Sequence, residues 1–125
     1  MLLEKCAGPV PGLILTMALT AAPLAASMAS AQDSSALEVT FRNGVVTPAE
    51  LHMPAGTIVQ LTVINDGDGP AEFESKSLHI ERVIGPHMRA VLTLRNLVAG
   101  EYAFVDEFTE DMDTAHGMIL VDPAE

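Results

Sequence analysis

Carboxylate, imidazole and thioether side chains are concentrated in two stretches of this sequence, and they are its candidate metal ligands. The first stretch is Glu72-Phe73-Glu74 with His79 shortly after it, and the second runs from residue 106 to residue 118. Carboxylate and imidazole groups together suit first-row divalent metal ions, and a thioether joins them where the metal is copper. The predicted ligands are Glu72, Glu74, Asp106, Glu107 and His116, with Met118 and His79 as second choices.

The two remaining histidines have simpler explanations. His52 alternates with Leu51 and Met53, which is typical of a solvent-facing strand residue, and His87 follows a Gly-Pro pair, which indicates a turn. The sequence contains no G-x-S-x-G, H-E-x-x-H or P-loop motif. We therefore expect a protein that is not an enzyme, or that at most assists metal oxidation or electron transfer.

The charge balance restricts the class of partner. The 125 residues include 6 Lys and Arg against 17 Asp and Glu, a net charge of −11, which excludes nucleic acid as an expected partner. Residues 96–125 contain acidic side chains and no Lys or Arg. Such a stretch attracts cations and raises the pKa values of its own carboxyl groups. A solvated acidic loop that keeps a small domain soluble is the other explanation.

The N-terminal segment has the pattern of an export signal. Residues 9–26 are almost entirely apolar, and Ala29-Ser30-Ala31 is a small-residue cleavage site. We predict a signal peptide over residues 1–31, a polar spacer over 32–36 and a periplasmic location, with no membrane insertion after cleavage. An uncleaved membrane anchor is the alternative, and three prolines within residues 9–23 argue against it. Cys6, the only cysteine, would leave with the signal.

The elements that position the candidate ligands are predicted to be short strands. Apolar and polar residues alternate with period two in segments closed by Gly, Pro, Asn and Asp. The segments are 37–42, 51–53, 58–64, 71–75, 78–84, 88–94, 102–108 and 118–121. Seven or eight such strands indicate an all-β sandwich or small barrel over residues 37–122. The expected core comprises Val59, Leu61, Val63, Phe41, Val91, Phe104 and Leu120.

The order of these segments resembles the cupredoxin fold, and most closely the EfeO-type cupredoxin-like domain of bacterial periplasmic iron-uptake systems. The resemblance covers about residues 37–121. It rests on Phe41-Arg42-Asn43-Gly44 with Pro48, Pro54-Ala55-Gly56, Val63-Ile64-Asn65, Pro70-Ala71-Glu72-Phe73-Glu74-Ser75, Gly100-Glu101-Tyr102-Ala103-Phe104 and Gly117-Met118-Ile119-Leu120-Val121. It implies a Greek-key β-sandwich of seven to eight strands.

The resemblance also implies where metal ligands would stand. Glu72 falls at the position of the first His of copper cupredoxins, and Asp106 falls at the position of the Cys. Residues 107–109 follow where the second His lies, and Ala115 or His116 takes the place of the axial Met. A type 1 copper site is therefore not expected. Because the resemblance would bring the Glu72 and Asp106 carboxylates together, Asp106→Ala is expected to leave metal-free stability equal or slightly higher.

Together, these features predict a periplasmic metal-binding accessory protein of iron uptake that binds iron or copper. Its expected partner is a periplasmic iron-binding protein or a membrane iron permease. Two alternatives remain. One is a metal-free module whose acidic face docks a basic partner, and the other is a copper carrier or electron-transfer protein with a non-blue site.

Overall fold

The structure is a computed structural model that describes residues 11–12 and 36–125. The predicted signal peptide over 1–31 and nearly all of the spacer over 32–36 lie outside the described residues. Backbone contacts divide the chain into two units, Met1–Ala31 and Gln32–Glu125, and the strands described below all belong to the second unit. No helix within the described residues is long and apolar enough to cross a membrane.

Nine strands make up the described part of the second unit. They are β1 (Ala36–Arg42), β2 (Val45–Thr47), β3 (Glu50–Pro54), β4 (Ile58–Asn65), β5 (Ala71–Ser75), β6 (Ile80–Ile84), β7 (Arg89–Arg95), β8 (Gly100–Asp106) and β9 (His116–Asp122). The strand missing from the sequence-based count is β2. It has only three residues, too few for alternation to reveal, and it forms a hairpin with β1 across the Asn43-Gly44 turn.

The strands form two sheets, as expected for the predicted all-β sandwich. One sheet has the order β2-β1-β4-β7 and the other the order β3-β9-β8-β5-β6. The pairs β1/β4 and β3/β9 are parallel, and the remaining pairs are antiparallel. Strands β5, β8 and β9 lie side by side in the five-stranded sheet, so this sheet carries most of the predicted ligands.

The core lies between the sheets and is centred on three stacked aromatic rings. The Phe73 and Phe104 ring centroids are 5.1 Å apart, and each ring is 6.2 Å from that of Phe41. Alternating apolar residues of β4 complete this layer, because Val59, Leu61 and Val63 are fully buried, as predicted.

Two predicted core residues lie elsewhere. Val91 is 57% exposed, because its neighbours Ala90 and Leu92 face inward and alternation turns it outward. Leu120 is only partly buried for the same reason, since Ile119 and Val121 take the inward positions on β9.

Several predicted boundaries are also corrected. His79 belongs to a turn before β6 with φ of 55°, not to a strand. Phe108 is 51% exposed in a 3-10 segment, Glu107–Thr109, so β8 ends before it. A second 3-10 segment, Asp113–Ala115, leads into β9.

His52 is exposed on β3, as predicted, and its ring contacts the carboxylates of Glu50 and Asp122.

Candidate functional site

Alternation along β5 separates its side chains between the two faces of the five-stranded sheet. Phe73 and Ser75 are buried at 0% and 2% exposure on the core side. Glu72 and Glu74 consequently point to the outer side. Pairing of Glu74 with Val105, and of Val105 with His116, places Glu74 and His116 in one row across that outer face. The outer face of this sheet therefore gathers ligands that are 42 residues apart in sequence.

The other predicted ligands are distributed around this row. Met118 stands next to it on β9, opposite Ala103 of β8. His79 lines a pocket of about 540 Å³ with Glu74, at the β5–β6 end of the sheet. Glu107 follows the end of β8, near enough to Glu72 and Glu74 for their charges to act on it.

Asp106 is separated from the rest because it faces the interior. It pairs with Phe73, is only 4% exposed, and its Oδ1 accepts a hydrogen bond from the backbone N–H of Glu72 at 3.0 Å. Glu72 thus presents its amide to Asp106, while its carboxylate points to the opposite side of the sheet. The expected approach of these two carboxylates is wrong, because the side chains alternate along each strand.

A cavity of about 130 Å³ lies beside Asp106, and its lining includes Ala71, Asn65 and Thr109. The Thr109 hydroxyl is buried and has no hydrogen-bond partner among the described residues. Among the described residues, those that line this cavity include no Cys or His. Ala115, one of the two residues at the expected axial position, is a fully buried apolar residue. A type 1 copper centre does not fit these residues, since it requires a thiolate and two imidazoles.

His116 is oriented by the loop that precedes it. Its Nε2–H donates to the backbone carbonyl oxygen of Glu110 at 2.7 Å. In a neutral imidazole that donates through Nε2, the lone pair is on Nδ1. Metal-binding histidines commonly donate their second ring N–H to a carbonyl oxygen or carboxylate, which fixes the ring and its tautomer.

Repulsion among carboxylates dominates the electrostatics of the outer face. The pKa of Glu107 is raised, first by the charge of Glu74, then by desolvation, and then by the charges of Glu72, Glu110 and Glu81. Glu110 and Glu81 were not among the predicted ligands. Glu81 pairs with Glu74 across the β5–β6 hairpin. The register of that hairpin is the signal that could have identified Glu81 as a member of the acidic face.

This repulsion predicts how stability depends on pH. A carboxyl group whose pKa is raised by folding favours the folded state while it is protonated, and this contribution is lost as pH rises above its ordinary value of 4.5 and through the raised value. We expect Glu107→Gln to raise the melting temperature at pH 7 slightly and to leave it unchanged near pH 4. Melting curves across this range test it, with Glu38→Gln on the four-stranded sheet as control. A lower melting temperature for Glu107→Gln at pH 7 would contradict the charge model.

The outer face concentrates negative charge, but its side chains are not arranged as the complete coordination shell of a metal ion. In the part of the chain that the structure describes, no three His, Cys, Asp or Glu side chains are close enough together to hold one metal ion. Chemically, the arrangement can attract cations and supply oxygen and nitrogen donors. It can bind a metal ion only if partly exposed side chains such as Glu107 move toward Glu74.

Comparisons with known proteins agree with this architecture. Residues 13–121 match the family model of the cupredoxin-like domain. An uncharacterized protein of Rickettsia prowazekii (strain Madrid E), RP394, is 32% identical over 85 residues. This match covers 68% of the chain and 66% of that protein, less than two thirds of its length.

Solved structures show the same fold at low sequence identity. Reduced auracyanin from Roseiflexus castenholzii superposes with a TM-score of 0.58 at 13% identity, covering 72% of this chain and 98% of auracyanin. The metal binding domain of the Streptococcus pneumoniae D39 Cu(I)-exporting ATPase CopA, solved with Cu(I), gives a TM-score of 0.58 at 16% identity. That superposition covers 70% of this chain and 84% of the domain.

Proposed function

Because this chain belongs to the family of cupredoxin-like domains, we propose that it is a metal-handling accessory protein of bacterial iron uptake, of the EfeO type. In this proposal the protein works in the periplasm, and its cargo is ferrous or ferric iron. Its partner is a periplasmic iron-binding protein or a membrane iron permease. The support for iron uptake is the Glu72-Phe73-Glu74-Ser75 sequence, which resembles that of domains found beside ferrous-iron permeases.

The observation that carries metal binding is the convergence of carboxylates on the outer face. Glu72 and Glu74 come from β5 and Glu107 from the end of β8, and their mutual repulsion raises the pKa of Glu107. A bound cation would relieve this repulsion. Oxygen and nitrogen donors also suit iron and manganese better than copper(I), which prefers soft sulfur ligands.

The proposed donors are the carboxylates of Glu72, Glu74 and Glu107 with Nδ1 of His116. Met118 lies beside them on β9 and would supply a thioether if the cargo were copper. Asp106 is left out of this set, because its carboxylate faces the core and already accepts the Glu72 amide. The resident copper chemistry of blue cupredoxins is likewise not part of this proposal.

Metal-dependent stabilisation tests the proposal. A ligand that binds only the folded protein raises its stability, by about 1.4 kcal/mol for each tenfold excess of ligand over the dissociation constant. We expect the melting temperature to rise with anaerobic Fe(II) and with Mn(II), and Glu74→Gln and Glu107→Gln to abolish the rise. Cu(II) is titrated in parallel, and a rise with Cu(II) alone would favour a copper carrier.

Glu38→Gln is the matched control for these variants. Glu38 is an exposed glutamate on the outer face of the four-stranded sheet, so its substitution removes the same charge far from the proposed donors. We expect Glu38→Gln to respond to metal as the unaltered protein does. A protein whose melting temperature does not change with any of the three metals would overturn metal binding.

A further inference from the structure

Glu74 is unusual on the outer face, because it is nearly buried and forms no ion pair with any residue that the structure describes. Its exposed fraction is 9%, although it carries a carboxylate. No hydrogen bond or ion pair within the described residues engages that carboxylate, whereas His52, for example, contacts two carboxylates. Most of the Glu74 side chain is enclosed, but its carboxylate oxygens are not among the fully buried atoms without a partner, so they are open to a cationic group that comes from outside the chain.

A groove of about 390 Å³ leads to Glu74 along the outer face. Its floor is formed by β8, where Ala103 and Val105 contribute small apolar side chains. Lys76 and Ser77 line one side, and Glu110 and His116 line the other, with Glu101 also contributing. The groove is thus apolar along its floor and acidic at several points of its wall.

This combination suits a basic side chain as it stands, whereas a metal ion would require Glu107 to move toward Glu74. A metal ion requires several donors around one point, and the described residues bring no three together. An arginine side chain has an aliphatic stem that packs on apolar surface and a planar guanidinium that binds carboxylates through paired hydrogen bonds. The apolar floor of the groove can pack against the aliphatic part of an arginine side chain, and the carboxylates of Glu74 and Glu110 can bind its guanidinium group.

The charge of the whole molecule supports a basic partner. The net charge is −11, and residues 96–125, which supply the floor and one wall of the groove, contain no Lys or Arg. A field of this sign increases the association rate of a basic protein surface. We propose that this groove docks an arginine side chain from a basic segment of a partner protein, with Glu74 as its counterion. This proposal does not require the chain to bind metal.

Binding of a hexa-arginine peptide, measured by fluorescence anisotropy at low salt, tests the groove. The control peptide carries citrulline, which has the shape of arginine without its charge. We expect the arginine peptide alone to bind, and Glu74→Gln and Glu110→Gln each to weaken binding at least tenfold. Absence of binding to the unaltered protein would overturn the proposal.

A substitution that fills the groove without changing charge separates docking from general attraction. Ala103→Phe occupies the floor, and Val91→Phe is its matched control, because Val91 is exposed on the outer face of the other sheet. We expect Ala103→Phe to weaken peptide binding at least tenfold and Val91→Phe to leave it unchanged. Equal binding by both variants would show that the peptide is attracted by negative charge alone, and it would overturn the proposal that the groove is the docking site.

Melting curves identify any variant that fails to fold. If Ala103→Phe does not fold, Glu110→Gln still tests the wall of the groove, because Glu110 is exposed. The same curves separate this inference from the proposed function. Ala103→Phe should keep its metal-dependent rise in melting temperature, because Ala103 is not a metal donor. Loss of the rise in the unaltered protein would refute metal binding alone, and failure of the peptide test with the rise intact would refute docking alone.

Discussion

Gly117→Ala is expected to lower the free energy of unfolding by about 3 kcal/mol, at the upper end of what overpacking a core usually costs. Gly117 pairs with Phe104 across β8 and β9. A Cβ added at Gly117 would lie 2.6 Å from Cε2 and 2.7 Å from Cε1 of the Phe104 ring, closer than carbon atoms approach. The ring cannot move aside easily, because it is stacked on Phe73 and Phe41.

Chemical denaturation of two further variants checks this reason for the loss. Phe104→Leu shortens the clashing side chain, so the Gly117→Ala, Phe104→Leu double variant should lose clearly less than the sum of the two single losses. Gly69→Ala is the control glycine, because a Cβ there meets nothing within 4 Å. Additive losses in the double variant would show that the ring contact is not the cause.

Asp106→Ala is also expected to destabilise the metal-free protein, again by about 3 kcal/mol, because removing the acceptor leaves an amide unpaired and opens a cavity. Asp106 is 4% exposed, and its carboxylate accepts the Glu72 backbone N–H at 3.0 Å. A hydrogen bond to a charged group contributes about 1.5 to 3 kcal/mol. This expectation is the opposite of the one that follows from the resemblance, which placed the repelling carboxylates of Glu72 and Asp106 together.

Asp106→Asn distinguishes the hydrogen bond from the charge. An asparagine amide oxygen can accept the same N–H, so Asp106→Asn should retain most of the stability that Asp106→Ala loses, as measured by urea denaturation. Exchange of the Glu72 amide with deuterium should be faster in Asp106→Ala than in Asp106→Asn. If Asp106→Ala were as stable as the unaltered protein, repulsion would be the better account of this position.

The sequence alone determined the fold class and most of its strands. Period-two alternation is a local property, so β4 and β5 are visible in the residues themselves, and turn residues mark where most strands end. The same alternation predicted the fully buried Val59, Leu61 and Val63. It failed for β2, because three residues are too few to show a period.

Only the tertiary structure decided which candidate ligands share a surface. A local pattern tells which residues of one strand share a face, but not which strands pair or in what register, because both depend on the packing of the whole sheet. Because the Phe73 side chain faces the core, the side chains of Glu72 and Glu74 face outward. Asp106 pairs with Phe73, so its side chain faces the core as well. The predicted site is therefore divided between the two faces of one sheet. Glu74 and His116 share one row on the outer face, with Glu107 near Glu74, because hydrogen bonding between distant strands sets the register.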